Sequence, residues 1–164
     1  MESASDRKVI FSEVMAKVFL SELPVFAREA AGRISARAFA TRAQAFVVYL
    51  SGDLGSGKTT FMQVFARELG VDAMLKSPTF VLMKNYAISW SGFTRLVHID
   101  AYRLQKPEEF EALKPKTFLN DPHALVCIEW PEQINDALPK PDMYIKFKVG
   151  ADVSARDIEI IERQ

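Results

Sequence analysis

A glycine-rich loop between residues 52 and 59 constrains the fold of this chain more than any other feature. The segment Gly52-Asp-Leu-Gly-Ser-Gly-Lys-Thr59 fits the pattern G-x-x-x-x-G-K-[ST] at every fixed position. An apolar run of strand type, residues 45–50, precedes the loop, and a helical pattern over residues 58–69 follows it. This order predicts a strand, a phosphate-binding loop and a helix whose unpaired amides add to the anion site.

The chemistry of such a loop assigns roles to its residues. Glycine allows the backbone to approach a phosphate closely and to adopt positive φ. Lys58 can reach the β- and γ-phosphates, the Thr59 hydroxyl can ligate Mg²⁺, and Thr60 is placed to contact the α-phosphate. The residues predicted to bind a nucleoside triphosphate are therefore Asp53, Leu54, Gly55, Ser56, Gly57, Lys58, Thr59 and Thr60.

Helical and strand patterns alternate along the chain, which predicts an α/β fold. Strands are expected at residues 14–20 (an edge strand), 45–50, 79–88, 94–100, 124–128, 143–149 and 157–161, with a hairpin turn at 89–92. Helices are expected from residue 24, over 58–69 and 107–113, and from about 131 to 138. The prediction is a P-loop NTPase-like domain spanning residues 1–164, with residues 1–13 flexible. Its central sheet is mostly parallel, with flanking helices and added antiparallel strands.

Composition excludes several classes of protein. Of 164 residues, 49% are apolar and 26% charged, which is typical of one soluble domain. The longest apolar run has six residues, whereas a bilayer needs about 20, so we expect no membrane partner. Basic and acidic residues number 21 each, which argues against binding DNA through bulk charge. Cys127 is the only cysteine and lies in an apolar stretch, which favours the reducing cytoplasm.

Two acidic residues end apolar strands of the predicted sheet. Asp100 follows Leu-Val-His-Ile, and Glu129 follows Leu-Val-Cys-Ile. If both strands run parallel to the loop strand, both acids emerge at the edge of the sheet where ligands bind. One can serve the metal while the other orients or deprotonates the attacking water. The spacing alone does not say which acid has which role.

Four further residues have two interpretations each. Thr79 either contacts the γ-phosphate as a switch residue or belongs to an ordinary turn. His98 is expected to be structural rather than catalytic, because it alternates with two apolar residues. Arg103 either pairs with Asp100 or contacts a phosphate, and Trp130 packs on the nucleotide or on the core.

Arginines also recur every four or five residues along the first predicted helix and its exit. This spacing favours a solvated basic face, with a docking patch for RNA or an acidic partner as the alternative. The residues are Arg28, Arg33, Arg37 and Arg42.

Four motifs together resemble the TsaE family, also called YjeE. They are GDLGSGKTT at 52–60, SPTF at 77–80, HIDAYR at 98–103 and CIEWPE at 127–132. Their order and spacing match the family over residues 14–149. Members are small bacterial P-loop ATPases needed to make N6-threonylcarbamoyladenosine beside the anticodon of tRNAs that read codons beginning with A.

The resemblance implies a role for each matching position. Lys58 and the loop amides hold the phosphates of ATP, while Thr59 and Glu129 serve Mg²⁺. Asp100 is the acid required for hydrolysis, so Asp100 and Lys58 are the expected catalytic residues. Thr79 belongs to a switch-like segment near the γ-phosphate, and Trp130 lies beside the nucleotide.

The resemblance also implies partners. Family members act with a TsaB–TsaD pair, and ATP hydrolysis is thought to reset that complex, so tRNA contacts this subunit indirectly or weakly. The chain departs from the family pattern at Ser56, where alanine is usual, at Ala101, where a larger apolar residue is usual, and at residues 113–116.

Two other functions fit a phosphate loop. A small-molecule kinase needs an arginine-bearing lid, but only Arg67, Arg95 and Arg103 lie between residues 58 and 129. A nucleotide-binding scaffold without hydrolysis would not need both Asp100 and Glu129.

Overall fold

All seven strands that the structure describes belong to one sheet. The computed structural model describes residues 9–38, 42–71, 82–134, 137–152 and 154–163. The strands are β1 (Val9–Phe19), β2 (Phe46–Ser51), β3 (Met83–Trp90), β4 (Phe93–Asp100), β5 (Ala124–Glu129), β6 (Met143–Val149) and β7 (Ala155–Arg163). The helices are α1 (Leu23–Ala38), α2 (Lys58–Glu68), α3 (Pro107–Glu111) and α4 (Lys116–Leu119).

The strand order is β1-β7-β6-β2-β5-β4-β3. The four central strands β6, β2, β5 and β4 are parallel to one another, whereas β3, β7 and β1 add antiparallel pairs at the two sides. This arrangement confirms the predicted α/β fold with a mostly parallel centre and added antiparallel strands.

Both faces of the central sheet are buried. Alternate residues of β2 enter two core clusters, with Phe46, Val48 and Leu50 on the face covered by α1 and α2. Val47 and Tyr49 lie on the other face. They belong there to a core cluster with side chains of α3, of α4 and of the segment that follows β4. This burial explains why the β2 sequence is apolar at every position rather than alternating.

The parallel register brings the ends of three strands together. Leu50 of β2 pairs with Glu129 of β5, and Glu129 pairs with Asp100 of β4. The loop that follows β2 therefore emerges beside Glu129, and Asp100 lies one strand further away. Sequence alone predicted a common edge, and the strand order adds which acid is nearer to the loop.

Most element predictions are confirmed within one to four residues, two need correction, and α4 was not predicted. Residues 9–13, predicted to be flexible, form the first part of β1, because β7 pairs with them and Arg33 contacts Glu13 at 2.7 Å. In place of the predicted helix from about 131 to 138, the described residues begin with a 3-10 turn over Pro131–Gln133. Its continuation is interrupted at Ile134, which packs in the core and leaves the helical region with φ −139°. Residues 135–136 lie outside the described residues.

Three arginines of α1 and its exit tie the helix to the sheet. Arg33 forms ion pairs with Glu13, Glu29 and Glu162. Arg37 donates to the carbonyls of Asp142 and Arg163, and Arg42 pairs with Asp142. The expected solvated face is therefore wrong for these three residues, and the docking-patch alternative stays a prediction. Of the four arginines, only Arg28 is exposed.

Two of the expectations drawn from composition concern Cys127 and membrane-spanning segments. Cys127 is a free, fully buried thiol, and burial raises its pKa. Within the described ranges, no helix combines the length and the apolar character needed to cross a membrane.

We expect Arg33→Met to lower the free energy of unfolding by about 1–3 kcal/mol, because Glu162 is buried and three carboxylates lose their shared cation. Urea unfolding measures this change. Arg28→Met, on the exposed side of the same helix, is the control and should change stability by less than about 0.5 kcal/mol. Equal effects of the two substitutions would contradict the structural role of Arg33.

Candidate functional site: a phosphate loop and its strand-end acids

The loop between β2 and α2 depends on glycine at its first and last positions. Gly52 has φ +142°, and a Cβ there would lie 2.2 Å from the Phe147 carbonyl oxygen of β6. Gly57 has φ +102° and is the N-cap of α2, without a side-chain cap. The loop is thus held close to β6, and it enters α2 through a conformation that favours glycine.

Lys58, the first residue of α2, contacts the loop itself. Its Nζ donates to the carbonyl oxygens of Gly52 at 2.6 Å and Asp53 at 3.0 Å, and to the Ser56 hydroxyl at 3.3 Å. The Trp130 ring covers the same ammonium, with its centroid 3.7 Å from Nζ. The lysine cation is therefore held inside the loop, with only 4% of the residue exposed.

A chain of hydrogen bonds joins α2 to two strands of the sheet. The Thr59 hydroxyl donates to Oε2 of Glu129 at 3.0 Å, and Oε1 of the same carboxylate lies 2.7 Å from Nε2 of His98. His98 and Glu129 are buried almost completely. Each carboxylate oxygen thus has a different partner, which orients Glu129 towards the start of α2.

Asp100 lies beside this chain at the end of β4. Its Oδ1 accepts a hydrogen bond from the Tyr102 amide at 3.0 Å. Burial raises the pKa of Asp100 above its ordinary value, the Tyr102 amide opposes this change, and the negative charge of Glu129 adds to it. Asp100 is consequently a more basic carboxylate than one in water.

Burial has the opposite effect on the cation. It lowers the pKa of Lys58 from its ordinary value, and the nearby carboxylates Glu129 and Glu132 oppose the change. The site thus brings an ammonium and two buried carboxylates, those of Asp100 and Glu129, into a largely water-excluded place, where electrostatic interactions are strong.

Trp130 has a backbone conformation that is rare for a bulky residue, with φ +58°. Its amide donates to the Leu50 carbonyl at 3.1 Å, and its ring contacts Tyr102 with centroids 4.9 Å apart. Trp130 also packs against the core cluster on the α3 and α4 face. The core interpretation of Trp130 is therefore confirmed, and the same ring contacts the loop lysine. Its contact with a nucleotide stays a prediction.

A cavity of about 410 Å³ lies on the other side of the loop. It is bordered by Gly55, Ser56, Gly57 and Thr60, and its remaining lining includes Val18, Leu20, Leu23, Phe147, Ser154 and Arg156. The loop thus separates an acidic side, which contains Glu129 and Asp100, from a more apolar side next to Thr60.

The structure brings most of the predicted site residues to one edge of the sheet. These residues are Asp53, Leu54, Gly55, Ser56, Gly57, Lys58, Thr59, Thr60, Asp100, Glu129 and Trp130. Thr79, the predicted switch residue, lies outside the described residues.

Sequence reasoning missed two contacts at this edge. The first is the contact of His98, which is predicted to be structural, with Glu129. The two-residue period of the strand, which places His98 on the same face as Asp100, is the sequence pattern that could have indicated it. Arg156 donates to the carbonyl oxygens of Gly55 and Ser56, both at 3.0 Å, and no motif indicated it.

The oxygens of Thr59 and Glu129 suit a magnesium ion. Mg²⁺ prefers hydroxyl and carboxylate oxygens and takes few protein ligands, since water and phosphates complete its shell. These two side chains are already 3.0 Å apart, and His98 holds the second carboxylate oxygen of Glu129. The residues therefore fit the ion in both chemistry and placement.

Comparison with known proteins identifies the family of this chain. A family model described as threonylcarbamoyl adenosine biosynthesis protein TsaE matches residues 26–158. The tRNA threonylcarbamoyladenosine biosynthesis protein TsaE of Haemophilus influenzae is 36% identical over 118 residues, which are 72% of this chain and 71% of that protein. The protein of the same name from Borreliella burgdorferi is 36% identical over 115 residues, 70% of this chain and 80% of that one.

The fold is also similar to a solved structure. The crystal structure of Bacillus subtilis YdiB superposes with a TM-score of 0.66 at 26% identity, covering 97% of this chain and 90% of that one. With a family model that spans most of the residues from α1 to β7, and relatives of this similarity, the chain belongs to the TsaE family of tRNA threonylcarbamoyladenosine biosynthesis.

Proposed function

We propose that the protein is a Mg²⁺-dependent ATPase that supports formation of N6-threonylcarbamoyladenosine beside the anticodon of tRNAs reading codons that begin with A. It would do so by binding a TsaB–TsaD-type complex and resetting it between turnovers. The observation that carries the ATPase proposal is the contact of Thr59, directly after Lys58, with the strand-end acid Glu129. A phosphate loop joined to such an acid is the arrangement that a hydrolysing P-loop protein needs.

The two sides of the loop suggest how ATP lies. The amides of residues 53–57 and the start of α2 would hold the phosphates, with Lys58 exchanging its loop carbonyls for the β- and γ-phosphates. Thr60 borders the cavity of about 410 Å³, so the α-phosphate would lead the nucleoside into that cavity. Its apolar lining suits a flat base.

On the acidic side, Thr59 and Glu129 would hold Mg²⁺, which would supply positive charge to the phosphates. Asp100 would orient the attacking water. Because Oδ1 of Asp100 accepts the Tyr102 amide, Oδ2 is the oxygen assigned to the proton of that water. The water oxygen bonds to the γ-phosphorus, the bond from the γ-phosphorus to the β,γ-bridging oxygen breaks, and ADP and phosphate leave.

The remaining parts of the proposal rest on family membership. We infer a cytoplasmic protein whose partner is a TsaB–TsaD-type complex and whose contact with tRNA is indirect or weak. The names of the relatives place them in synthesis of the tRNA modification, which agrees with this role.

We expect Lys58→Ala to reduce ATP turnover by about 10²–10³-fold, because the positive charge at the β- and γ-phosphates is lost from a site otherwise made of amides. Phosphate release and calorimetric ATP binding measure the effect. Lys116→Ala is the control, because Lys116 is an exposed residue of α4, which lies beside the start of β2 and away from the loop. Unchanged binding and turnover in Lys58→Ala would refute the phosphate-loop assignment.

The two acids should separate into two roles. Glu129→Gln is expected to weaken Mg²⁺-dependent nucleotide binding, since the carboxylate nearer to Thr59 is lost. Asp100→Asn is expected to spare binding and lower turnover by about 10²–10⁴-fold, as for a group that acts in the transition state. ATP titrations with and without Mg²⁺, together with phosphate release, distinguish the roles. The opposite pattern would exchange the two assignments.

We expect the isolated protein to hydrolyse ATP at well below about 1 s⁻¹, the low end of enzyme turnover. Lys58 is the one cation that the loop motif itself guarantees, and fast phosphoryl transfer needs a further positive group worth about 10³–10⁵ in rate. A TsaB–TsaD-type complex should therefore accelerate hydrolysis. Steady-state phosphate release with the complex titrated in is the measurement.

A fast isolated enzyme that does not respond to the complex would contradict this regulation. Transfer of phosphate to an added small molecule, rather than to water, would identify a kinase. Nucleotide binding without phosphate release under any condition would identify a scaffold.

A further inference from the structure

Arg156 of β7 contacts the phosphate loop from outside. Its Nε donates to the Ser56 carbonyl and its Nη2 to the Gly55 carbonyl, both at 3.0 Å. Its Nη1 donates to its own neighbour, the Ala155 carbonyl, at 2.8 Å. One rigid guanidinium thus connects an antiparallel strand at the side of the sheet with two consecutive peptide groups of the loop.

Those two contacts orient the loop amides. A trans peptide group is planar, so its N–H points away from its C=O. When Arg156 holds the carbonyls of Gly55 and Ser56, the amides of Ser56 and Gly57 must point to the other side. The Ser56 amide indeed donates across the loop to the Asp53 carbonyl at 3.0 Å.

The two glycines of this half of the loop do not supply this restraint, and the Ser56 hydroxyl between them accepts from Lys58 at 3.3 Å rather than holding a loop carbonyl. Gly55 and Gly57 have φ +75° and +102°, and a Cβ at Gly55 would meet nothing within 4 Å. Lys58 holds the first half of the loop through the carbonyls of Gly52 and Asp53. Lys58 must release those carbonyls to reach a phosphate, whereas the bonds of Arg156 lie on carbonyls that a phosphate does not use.

We propose that Arg156 is a positioning residue that preorganises the second half of the loop, residues 55–57, for phosphate. It acts on the phosphates through the loop backbone and not as a phosphate ligand, although its side chain also borders the cavity assigned to the nucleoside. This inference rests on the proposed nucleotide site, and it places a determinant of that site on β7. Charge-assisted hydrogen bonds to two carbonyls are stronger than neutral ones, and the fork of arginine matches them in a way that lysine cannot.

The test compares Arg156→Gln and Arg156→Lys with Arg95→Gln. Arg95 is the matched control, because it pairs with Asp121 and bonds the Thr117 carbonyl at the opposite end of the sheet. ATP and ADP affinities are measured by calorimetry in EDTA and in Mg²⁺, and phosphate release gives kcat and KM. Thermal unfolding and amide hydrogen exchange of Ser56 and Gly57 are followed in each variant.

For both Arg156 variants we expect an affinity about tenfold weaker for ATP and for ADP, with and without Mg²⁺, and faster exchange at the two amides. KM should rise while kcat stays nearly constant, since binding is lost uniformly. Lysine should not restore affinity. Arg95→Gln should bind like the wild-type protein.

Two results would overturn the inference. One is a larger loss for ATP than for ADP with rescue by lysine, which would make Arg156 a direct phosphate ligand. The other is unchanged affinity and exchange in variants that remain folded. If Arg156→Gln unfolds, Arg156→Lys, which keeps the charge, decides between these outcomes. Failure of the wild-type protein to bind any nucleotide would instead refute the proposed function.

Discussion

Parallel pairing of β2 with β5 is the constraint on which the candidate site depends. The pair sets Leu50, the residue before the loop, beside Glu129, and α2 then starts where the Thr59 hydroxyl meets that carboxylate at 3.0 Å. A shift of register by one residue would turn Glu129 to the other face of the sheet, because side chains alternate along a strand. Two fully buried strands exclude such a shift, since both faces of each are packed.

Ionisable groups are concentrated at this edge of the sheet, and their burial has a cost in desolvation. Lys58, His98, Asp100 and Glu129 are each at most 6% exposed, and a buried charge is tolerated only when it is paired or hydrogen-bonded. The loop carbonyls pair with the lysine, while His98, Thr59 and the Tyr102 amide partner the acids. The left-handed backbone of Trp130 adds strain at the same place, as is common at functional sites.

The antiparallel strands connect this edge to the rest of the domain. Arginines of α1 hold the sheet through Glu162 and Asp142, and Arg156 of β7 holds the loop carbonyls. A strand that carries no motif residue thus reaches the phosphate loop as directly as the motif strands do. Contacts that stabilise the sheet and contacts that shape the loop therefore both involve β7.

The sequence by itself determined the α/β class, the loop, the helix after it and the two strand-end acids. These are local patterns, because a period of two or 3.6 residues and a run of glycines depend on neighbours along the chain. Only the tertiary structure decided that Glu129 lies next to Thr59 and that His98 contacts Glu129. It also decided that the α1 arginines pair with the sheet and that Arg156 meets Gly55, because those contacts join residues up to 129 positions apart. Such contacts depend on strand order and register, which the periodicity of a single chain does not encode.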